Sequence, residues 1–543
     1  MAFPSTTTET FTPDETRALA PYFTNADRPV VVLRNLPETV KGALFARYSR
    51  SAKSVRRLFL DEFLGQMGTD PPAEGGRSPA GVGSERADKL YARVLSEYGD
   101  DSVAQLGGAH LACEGVSNVL TKVLEWGRLM AYLEQSTRYV PYTDRPGGRW
   151  KYHVPAELDG SPQREAFIRT LDHAFATYAR WIPAMETHFR EKYPKSPEDS
   201  EGVYKSVIRA KALDTLRGLL PAATTSNVGL FGTGQAFEAL LLRLFAHPLD
   251  EVRRCAQQML AELRQVIPAF LTRVDQPDRG GRWVDYFADT RRAFDAVAAP
   301  LVADTIAEPR DEVTLTDFDP EGETKVVAAA LYHASALPDD QLLAIARRLS
   351  PDERAAVLRA YVGTRANRRH KPGRAFERTS YRFDVLADYG AFRDLQRHRL
   401  LTLDWQPLGA RHGYTEPAAI EDAGALADWR TVMQQSAALY EQLVANDLHD
   451  AAPYAVVMAY RVRFYMHLNA REAMHVIELR TSPQGHPSYR RVCQLMHRAI
   501  ADTAGHRAIA GAMQFVDHSS VELERLQSER NLERKRSAIA DSL

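Results

Sequence analysis

The chain has 543 residues, more than the roughly 250–300 at which one hydrophobic core stops growing, so two domains are expected. Its 69 basic and 70 acidic side chains nearly cancel, which excludes the basic excess of a dedicated nucleic-acid-binding protein. The sequence contains no apolar run of the roughly 18 residues that a membrane span needs, and its start does not have the pattern of a signal peptide.

Three cysteines are widely separated along the chain: Cys113, Cys255 and Cys493. This odd number and wide spacing suit a reducing compartment, and they offer neither a disulfide framework nor a paired motif for zinc. The sequence also lacks the H-E-x-x-H motif of zinc enzymes. We therefore expect a cytoplasmic protein without a metal centre.

The first half of the chain begins with a short strand candidate at Val30–Leu33. The glycine- and proline-rich stretch from Gly68 to Gly83 predicts a loop, which is either an exposed insertion or an active-site lid. Apolar residues then recur at helical spacing from Val116 to Leu133 and from Phe167 to Tyr178. This spacing predicts amphipathic helices.

A boundary between two halves is indicated from about Asp275 to Glu312, where proline, glycine and charged residues are dense and a helix can occupy the middle. A second strand candidate, Val313–Leu315, opens the other half. Helical spacing returns from Leu426 to Val444. The sequence therefore predicts an α+β protein that is predominantly helical.

A polar motif follows the apolar stretch in the first half. It reads E-x-S-x-R-Y and comprises Glu134, Ser136, Arg138 and Tyr139. Arg217 comes later, shortly before a Leu-Pro pair. Guanidinium groups bind phosphate as permanently charged forks, and hydroxyl and carboxylate groups add donors and acceptors. These residues are candidates for binding a phosphorylated ligand.

The second half carries a basic motif, R-H-R-x-x-T, whose charged part is Arg397, His398 and Arg399. A basic tripeptide alone is usually a solvated surface. However, Arg399 follows Arg128 by 271 residues (399 − 128 = 271), about half the chain, as a tandem duplication would produce. Further polar residues follow in the second half: Asn469, Arg471, His475 and Arg480.

Together, and in this order, these motifs resemble the flavin-dependent thymidylate synthases, whose signature R-H-R-x-x-S-x-N-E-x-S-x-R-Y is here divided between two halves. The resemblance implies two tandem domains at 25–290 and 310–510, each a small sheet with a helical bundle. The alternating charges of the remaining tail predict a charged C-terminal helix at 511–543. Because family members are homotetramers, the resemblance also implies a homodimer of this fused chain that mimics the tetramer.

The resemblance implies an FAD-dependent enzyme that methylates C5 of dUMP to give dTMP, with methylenetetrahydrofolate as carbon donor and NADPH as reductant. It assigns nucleotide binding to Glu134, Ser136, Arg138, Tyr139, Arg217 and Arg397. It assigns flavin binding to Ser102, Arg397, His398, Arg399, Asn469, Arg471 and His475. Arg480 matches the family arginine that stabilises the ionised uracil, which makes Arg480 the catalytic candidate.

Departures from the signature leave two alternatives open. Leu133 and Asp404 stand where the family has asparagine, so the enzyme could be a related flavin-dependent alkylase of another pyrimidine nucleotide. The second alternative is a degenerate, non-catalytic homologue that acts as a scaffold or ligand-binding protein. Because each half has lost motif residues that the other keeps, we expect fewer sites than the family has.

Overall fold

The computed structural model describes residues 9–27, 31–48, 51, 53–66, 105–197 and 199–520, with isolated residues at 523, 526 and 530. Ser102, the predicted loop at 68–83 and most of the predicted helix at 511–543 lie outside these residues. Within the described part of the chain, no helix is both long and apolar enough to cross a membrane.

The chain divides into two compact units, each built from several segments. Unit 1 comprises residues 1–114, 127–134 and 227–305. Unit 2 comprises residues 115–126, 135–226 and 306–543. The two units are therefore described separately below.

The helices are numbered in chain order. Those up to residue 263 are α1 (Pro13–Leu19), α2 (Glu38–Tyr48), α3 (Val55–Leu58), α4 (Asn118–Leu124), α5 (Gln163–Lys192), α6 (Glu201–Leu216), α7 (Gly234–Phe245) and α8 (Asp250–Leu263). The later ones are α9 (Arg282–Val302), α10 (Gly322–Leu331), α11 (Asp339–Arg348), α12 (Pro351–Val362), α13 (Tyr389–Gln396), α14 (Ala418–Asp422), α15 (Leu426–Val444), α16 (Ala470–Arg480), α17 (Pro487–Asp502) and α18 (Arg507–Ala512).

A three-stranded sheet is built mainly from unit 1. Its strands are β1 (Gly108–Ser117), β2 (Met130–Glu134) and β3 (Thr225–Thr233), in the order β1-β3-β2. β2 pairs antiparallel with β3, from Met130 opposite Gly232 to Glu134 opposite Val228. After β3, the Thr233 side chain accepts a hydrogen bond from the Ala236 amide and so begins α7.

Unit 2 contains a four-stranded antiparallel sheet. Its strands are β4 (Val313–Phe318), β5 (Ser380–Asp388), β6 (Thr402–Trp405) and β7 (Arg461–Asn469), in the order β4-β5-β7-β6. Alternate residues of β7 are buried, beginning with Val462 and Phe464. This period of two places one face of the strand against the core.

The long helices of unit 2 form where apolar spacing predicts them. In α5, Phe167, Leu171 and Phe175 are buried, and in α15, Trp429 and Val432 are buried. Burial of one helical face stabilises each helix by removing apolar surface from water. The predictions of α+β class and mainly helical content are confirmed by these helices and the two small sheets.

Two local predictions differ from the structure. The predicted helix from Val116 to Leu133 is wrong in its second part, because α4 ends at Leu124 and Met130–Glu134 is strand β2. The apolar residues keep a helical spacing across the turn between Leu124 and Met130, although the helix ends there. Hydrogen bonding to β3 makes Met130–Glu134 a strand. In the described part of the Val30–Leu33 candidate, Leu33 forms only an isolated bridge with Phe23, whereas Val313–Leu315 lies in β4.

Candidate functional site

Four arginines and two nearly buried aspartates of unit 2 form what we call the arginine cluster: Arg138, Arg217, Arg397, Arg480, Asp214 and Asp394. Arg138 donates two hydrogen bonds to Asp214, each 2.8 Å long. Arg397 pairs with Asp394, three residues before it. Asp394 also lies 3.6 Å from Arg217 and 3.9 Å from Arg480. Candidates from both halves of the sequence therefore meet in one place.

Secondary structure fixes the members of the arginine cluster. Asp394 lies in the last turn of α13, and Arg397 follows the end of that helix. Arg480 is the last residue of α16. Arg217 ends α6, and the backbone after it pairs with the segment before β7, where Ala459 donates to the Gly218 carbonyl over 3.0 Å. Rigid elements rather than loops therefore hold most of these charges.

The guanidinium of Arg217 is the most unusual group in the cluster. Its side chain is only 5% exposed, and its Nη2 has no hydrogen-bond partner within the part of the chain that the structure describes. The α13 backbone approaches this nitrogen closely, since a Cβ added at Gly390 would lie 2.9 Å from it. A buried charged donor without an acceptor is costly, so this position suits an anionic ligand.

The cluster carries an excess of positive charge. Burial alone would raise the pKa of Asp394, but the charges of Arg397, Arg217 and Arg480 outweigh burial and hold the pKa well below its usual range. Asp388, whose side chain caps the start of α13, is a third carboxylate close to Arg217. Four guanidinium groups thus face three carboxylates, and the difference favours an added anion.

Tyr489 and His486 lie beside the cluster at the start of α17. The Tyr489 hydroxyl is 3.0 Å from Arg138 Nη1, and the Arg480 guanidinium lies 5.4 Å from the centre of the Tyr489 ring. Burial, together with the charge of Arg217, lowers the pKa of His486 to about 4. This histidine is therefore neutral at pH 7 and adds no charge.

A hydrogen-bonded row connects Arg480 to a buried glutamate. Arg480 Nε donates to His398 Nε2 over 2.9 Å, and His398 Nδ1 lies 3.8 Å from Glu472 Oε1. Burial lowers the pKa of His398 well below its usual value, and Arg480 and His475 lower it further. His398 is therefore neutral, accepts from Arg480 at Nε2 and carries its proton on Nδ1, facing Glu472.

Four cationic side chains act electrostatically on Glu472 or His475, and we call them the basic rim: Arg368, Lys371, Arg399 and Arg471. Burial raises the pKa of Glu472 to about 7, although three members of the rim oppose that change. Burial, then Lys371 and Arg368, lower the pKa of His475 to about 4. Neutral imidazoles near several positively charged side chains fit a ligand that joins a planar polar ring to phosphates.

The same residues include a possible ligand set for a metal ion. Ligand atoms of His398, Glu472 and His475 all lie within 4.8 Å of one another. However, the basic rim and Arg480 would repel a divalent cation at this position. We assign no metal to it.

The remaining predicted site residues are not members of the arginine cluster, and most of them make local contacts. Ser136 Oγ accepts from the Arg138 amide over 3.2 Å, which shapes the turn before Arg138, and Tyr139 is 60% exposed. Asn469 caps α16 by accepting from the Glu472 amide. Arg471 donates to the Pro372 carbonyl, and Glu134 is buried at the end of β2 in unit 1. Ser102 lies outside the described residues.

The sequence reasoning missed the acidic members of the site, Asp214, Asp394 and Glu472. One signal was available, because Asp394 stands three residues before Arg397, a spacing at which helical side chains meet. The basic run R-A-N-R-R-H-K that contains Arg368 and Lys371 was equally visible. Burial of Glu472, by contrast, follows from tertiary packing that no local pattern reveals.

We expect the Glu472→Gln variant to be more stable than the parent chain at pH 8. The folded pKa of Glu472 is raised to about 7 from 4.5, so its favourable contribution exists below pH 4.5 and is lost as the pH rises through 7. By the relation between pKa and free energy, the penalty above pH 7 is about 3 kcal/mol. Urea unfolding of both proteins at pH 5 and pH 8 measures this difference in the free energy of unfolding.

Glutamine at exposed Glu421 serves as the matched control for this measurement. The difference in unfolding free energy between Glu472→Gln and the parent chain should shrink as the pH falls from 8 to 5, whereas Glu421→Gln should change little. Equal stability of Glu472→Gln and the parent at both pH values would contradict the raised pKa.

The fold and the arginine cluster define the chain as an α+β protein of two halves. Motif residues from both halves meet in one strongly basic site. The profile of the family described as "Thymidylate synthase complementing protein" matches residues 48–269 and, again, residues 314–504. The chain therefore belongs to this family. The predicted resemblance, as a divergent tandem duplication, is confirmed.

Three known proteins are similar to this chain to different extents. A protein of Chlamydia muridarum described as "UPF0159 protein" is 39% identical over 521 residues, covering 96% of this chain and 98% of its own. A "Flavin-dependent thymidylate synthase" of Clostridium tetani is 27% identical over 203 residues, which cover 35% of this chain and 74% of its own. The crystal structure of a UMP/dUMP methylase, PolB from Streptomyces cacaoi, bound with 5-Br dUMP covers 40% of this chain at 18% identity with a TM-score of 0.30.

Proposed function

We propose that the protein is a flavin-dependent enzyme that methylates C5 of a pyrimidine nucleoside monophosphate, and that its substrate is dUMP. The observation that carries this proposal is that Nη2 of buried Arg217, inside the arginine cluster, has no hydrogen-bond partner among the described residues. The similarity to a flavin-dependent thymidylate synthase supplies the class of reaction.

The arginine cluster would bind the phosphate. Arg217 offers a donor that is already desolvated, so the phosphate gains a charge-assisted hydrogen bond without a further cost of burying the guanidinium. Arg397 and Arg138 are oriented by their aspartates and add positive potential. We assign Ser136, Tyr139 and Glu134 to the nucleotide as well, on the strength of the family motif.

Flavin would lie against His398 and His475, with the basic rim holding its diphosphate. FAD supplies the redox chemistry and the transfer of the one-carbon unit when bound. The residues fit it, because both imidazoles are neutral while the rim carries four positive charges. Arg399, Arg471 and Asn469 are assigned to the same cofactor, and methylenetetrahydrofolate and NADPH are the proposed co-substrates.

Arg480 would act on the pyrimidine ring. Its Nε is held by His398 and its Nη1 lies 3.9 Å from Asp394, so the guanidinium is fixed in direction. A fixed cation beside the ring stabilises negative charge that develops on the uracil as C5 becomes nucleophilic. We therefore propose Arg480 as the catalytic residue and His398 as the group that positions it.

Product formation tests the proposed function. Purified protein is incubated with FAD, NADPH, methylenetetrahydrofolate and an equimolar mixture of dUMP, UMP, dCMP and CMP, and mass spectrometry identifies any methylated nucleotide. The proposal predicts dTMP. Methylated UMP or a cytidine product would establish the related alkylase instead, and flavin-free protein without any product would establish the non-catalytic homologue.

We expect the protein to be a homodimer. The chain mass is 60.8 kDa, and two fused chains would supply the four domains of the family's tetramer. Multi-angle light scattering should therefore give about twice the chain mass across a tenfold dilution. A mass equal to that of one chain would contradict this expectation.

A further inference from the structure

Unit 1 contains a pocket that the proposed reaction does not use. Its volume is about 420 Å³, and it lies between α7, the start of α9 and the turn that precedes α9. The charged and aromatic residues that line it are Glu238, Arg243, Arg273, Arg279, Trp283 and Phe287. We call this the unit 1 pocket. Its volume falls within the range of small-molecule sites.

The charge of the unit 1 pocket suits a phosphate monoester. Its wall includes the guanidinium groups of Arg243, Arg273 and Arg279 and the carboxylate of Glu238. Among the described residues of this wall, positively charged side chains outnumber negatively charged ones by three to one. A phosphate monoester, which carries nearly two negative charges at neutral pH, suits such a wall.

Arg273 is held in place before any ligand arrives. Arg273 donates to both oxygens of Glu238, over 3.1 Å and 2.7 Å, which fixes its guanidinium against α7. The Gly280 amide donates to the Arg273 carbonyl over 2.9 Å. A Cβ at Gly280 would lie 1.9 Å from the Val274 carbonyl oxygen, so only glycine permits this turn. Arg279, directly before Gly280, lines the same pocket as Arg273.

Aromatic rings form another wall of the unit 1 pocket. Trp283 and Phe287, one turn apart on α9, have ring centres 5.6 Å apart. The Trp283 side chain is 54% exposed although it borders the pocket. An exposed indole in the same pocket as these arginines offers a surface on which a flat heterocycle stacks.

We propose that the unit 1 pocket binds a mononucleotide, with its phosphate between Arg273 and Arg279 and its base stacked on Trp283. This site is additional to the arginine cluster of unit 2 and does not depend on the reaction proposed for that cluster. Each chain would accordingly bind two nucleotides, one in each unit.

Calorimetric titration of the full-length chain with UMP tests this proposal, with the Arg217→Ala variant used to weaken binding in unit 2. We expect Arg217→Ala to retain one UMP per chain. Arg279→Ala or Trp283→Ala, added to it, should weaken this remaining binding at least tenfold. The matched control is Arg254→Ala on α8, an arginine 67% exposed and absent from the pocket wall, which should leave the remaining binding unchanged.

Photo-crosslinking provides a second measurement that needs no substitution. The parent chain is irradiated with 5-iodo-UMP, and peptide mass spectrometry should locate a crosslink at Trp283 or Phe287 that excess UMP prevents and excess uridine prevents less well. Crosslinks confined to unit 2, or UMP binding to Arg217→Ala that is unaffected by Arg279→Ala and Trp283→Ala, would overturn the proposal.

Discussion

Replacing Arg480 with alanine is expected to leave FAD bound and to lower turnover by about 100- to 1000-fold, the loss typical of removing one fixed group that stabilises developing charge. FAD remains because His398, His475 and the basic rim are still present. Asp394 also keeps Arg397 and Arg217 as partners, so no carboxylate is left without a positive neighbour. Flavin absorbance and steady-state kinetics measure the two effects separately.

Arg430 provides the matched control for Arg480. It lies in unit 2, pairs with Glu416 and is 52% exposed, so Arg430→Ala should leave turnover unchanged. The Arg480→Lys variant tests geometry, because lysine keeps the charge but not the planar fork that His398 orients. Unchanged turnover in Arg480→Ala would exclude Arg480 as the catalytic residue.

The second large effect is expected from Arg217→Lys, which should weaken nucleotide binding by about 10- to 100-fold, as loss of a charge-assisted hydrogen bond implies. Lysine preserves the positive charge beside Asp394 and limits any loss of folding stability. The affinity for the nucleoside deoxyuridine should change little, because Arg217 is assigned to the phosphate. Calorimetric titration with dUMP and with deoxyuridine measures both affinities.

This comparison of ligands separates a phosphate contact from general damage to the site. If Arg217→Lys weakens deoxyuridine and dUMP binding equally, Arg217 does not contact the phosphate. If neither affinity changes, the unpartnered Nη2 does not mark the substrate site.

The fold class could be predicted because it depends on local patterns. Phe167, Leu171 and Phe175 recur at helical spacing and are buried in one helix, as amphipathic periodicity requires. Strand β2 could not be predicted in the same way. Met130 and Leu133 are three residues apart, a spacing that fits one face of a helix. In the structure Met130 is buried and Leu133 is exposed, on opposite faces of a strand that is paired with β3.

The basic residues of the site could be predicted because they lie within motifs, whereas their contacts could not. Arg138 and Asp214 are 76 residues apart in sequence, and nothing local indicates that they form a pair.

The central claim is that this chain is a working flavin enzyme for dUMP, and an absorbance titration tests it most directly. The protein is loaded with FAD, desalted, reduced anaerobically with NADPH and titrated with dUMP, with deoxyuridine as the control. We predict a bound flavin spectrum that NADPH bleaches and that dUMP, but not deoxyuridine, perturbs at micromolar concentration. The claim would be contradicted if the protein retained no flavin after desalting. It would also be contradicted if dUMP left the absorbance spectrum of the bound flavin unchanged.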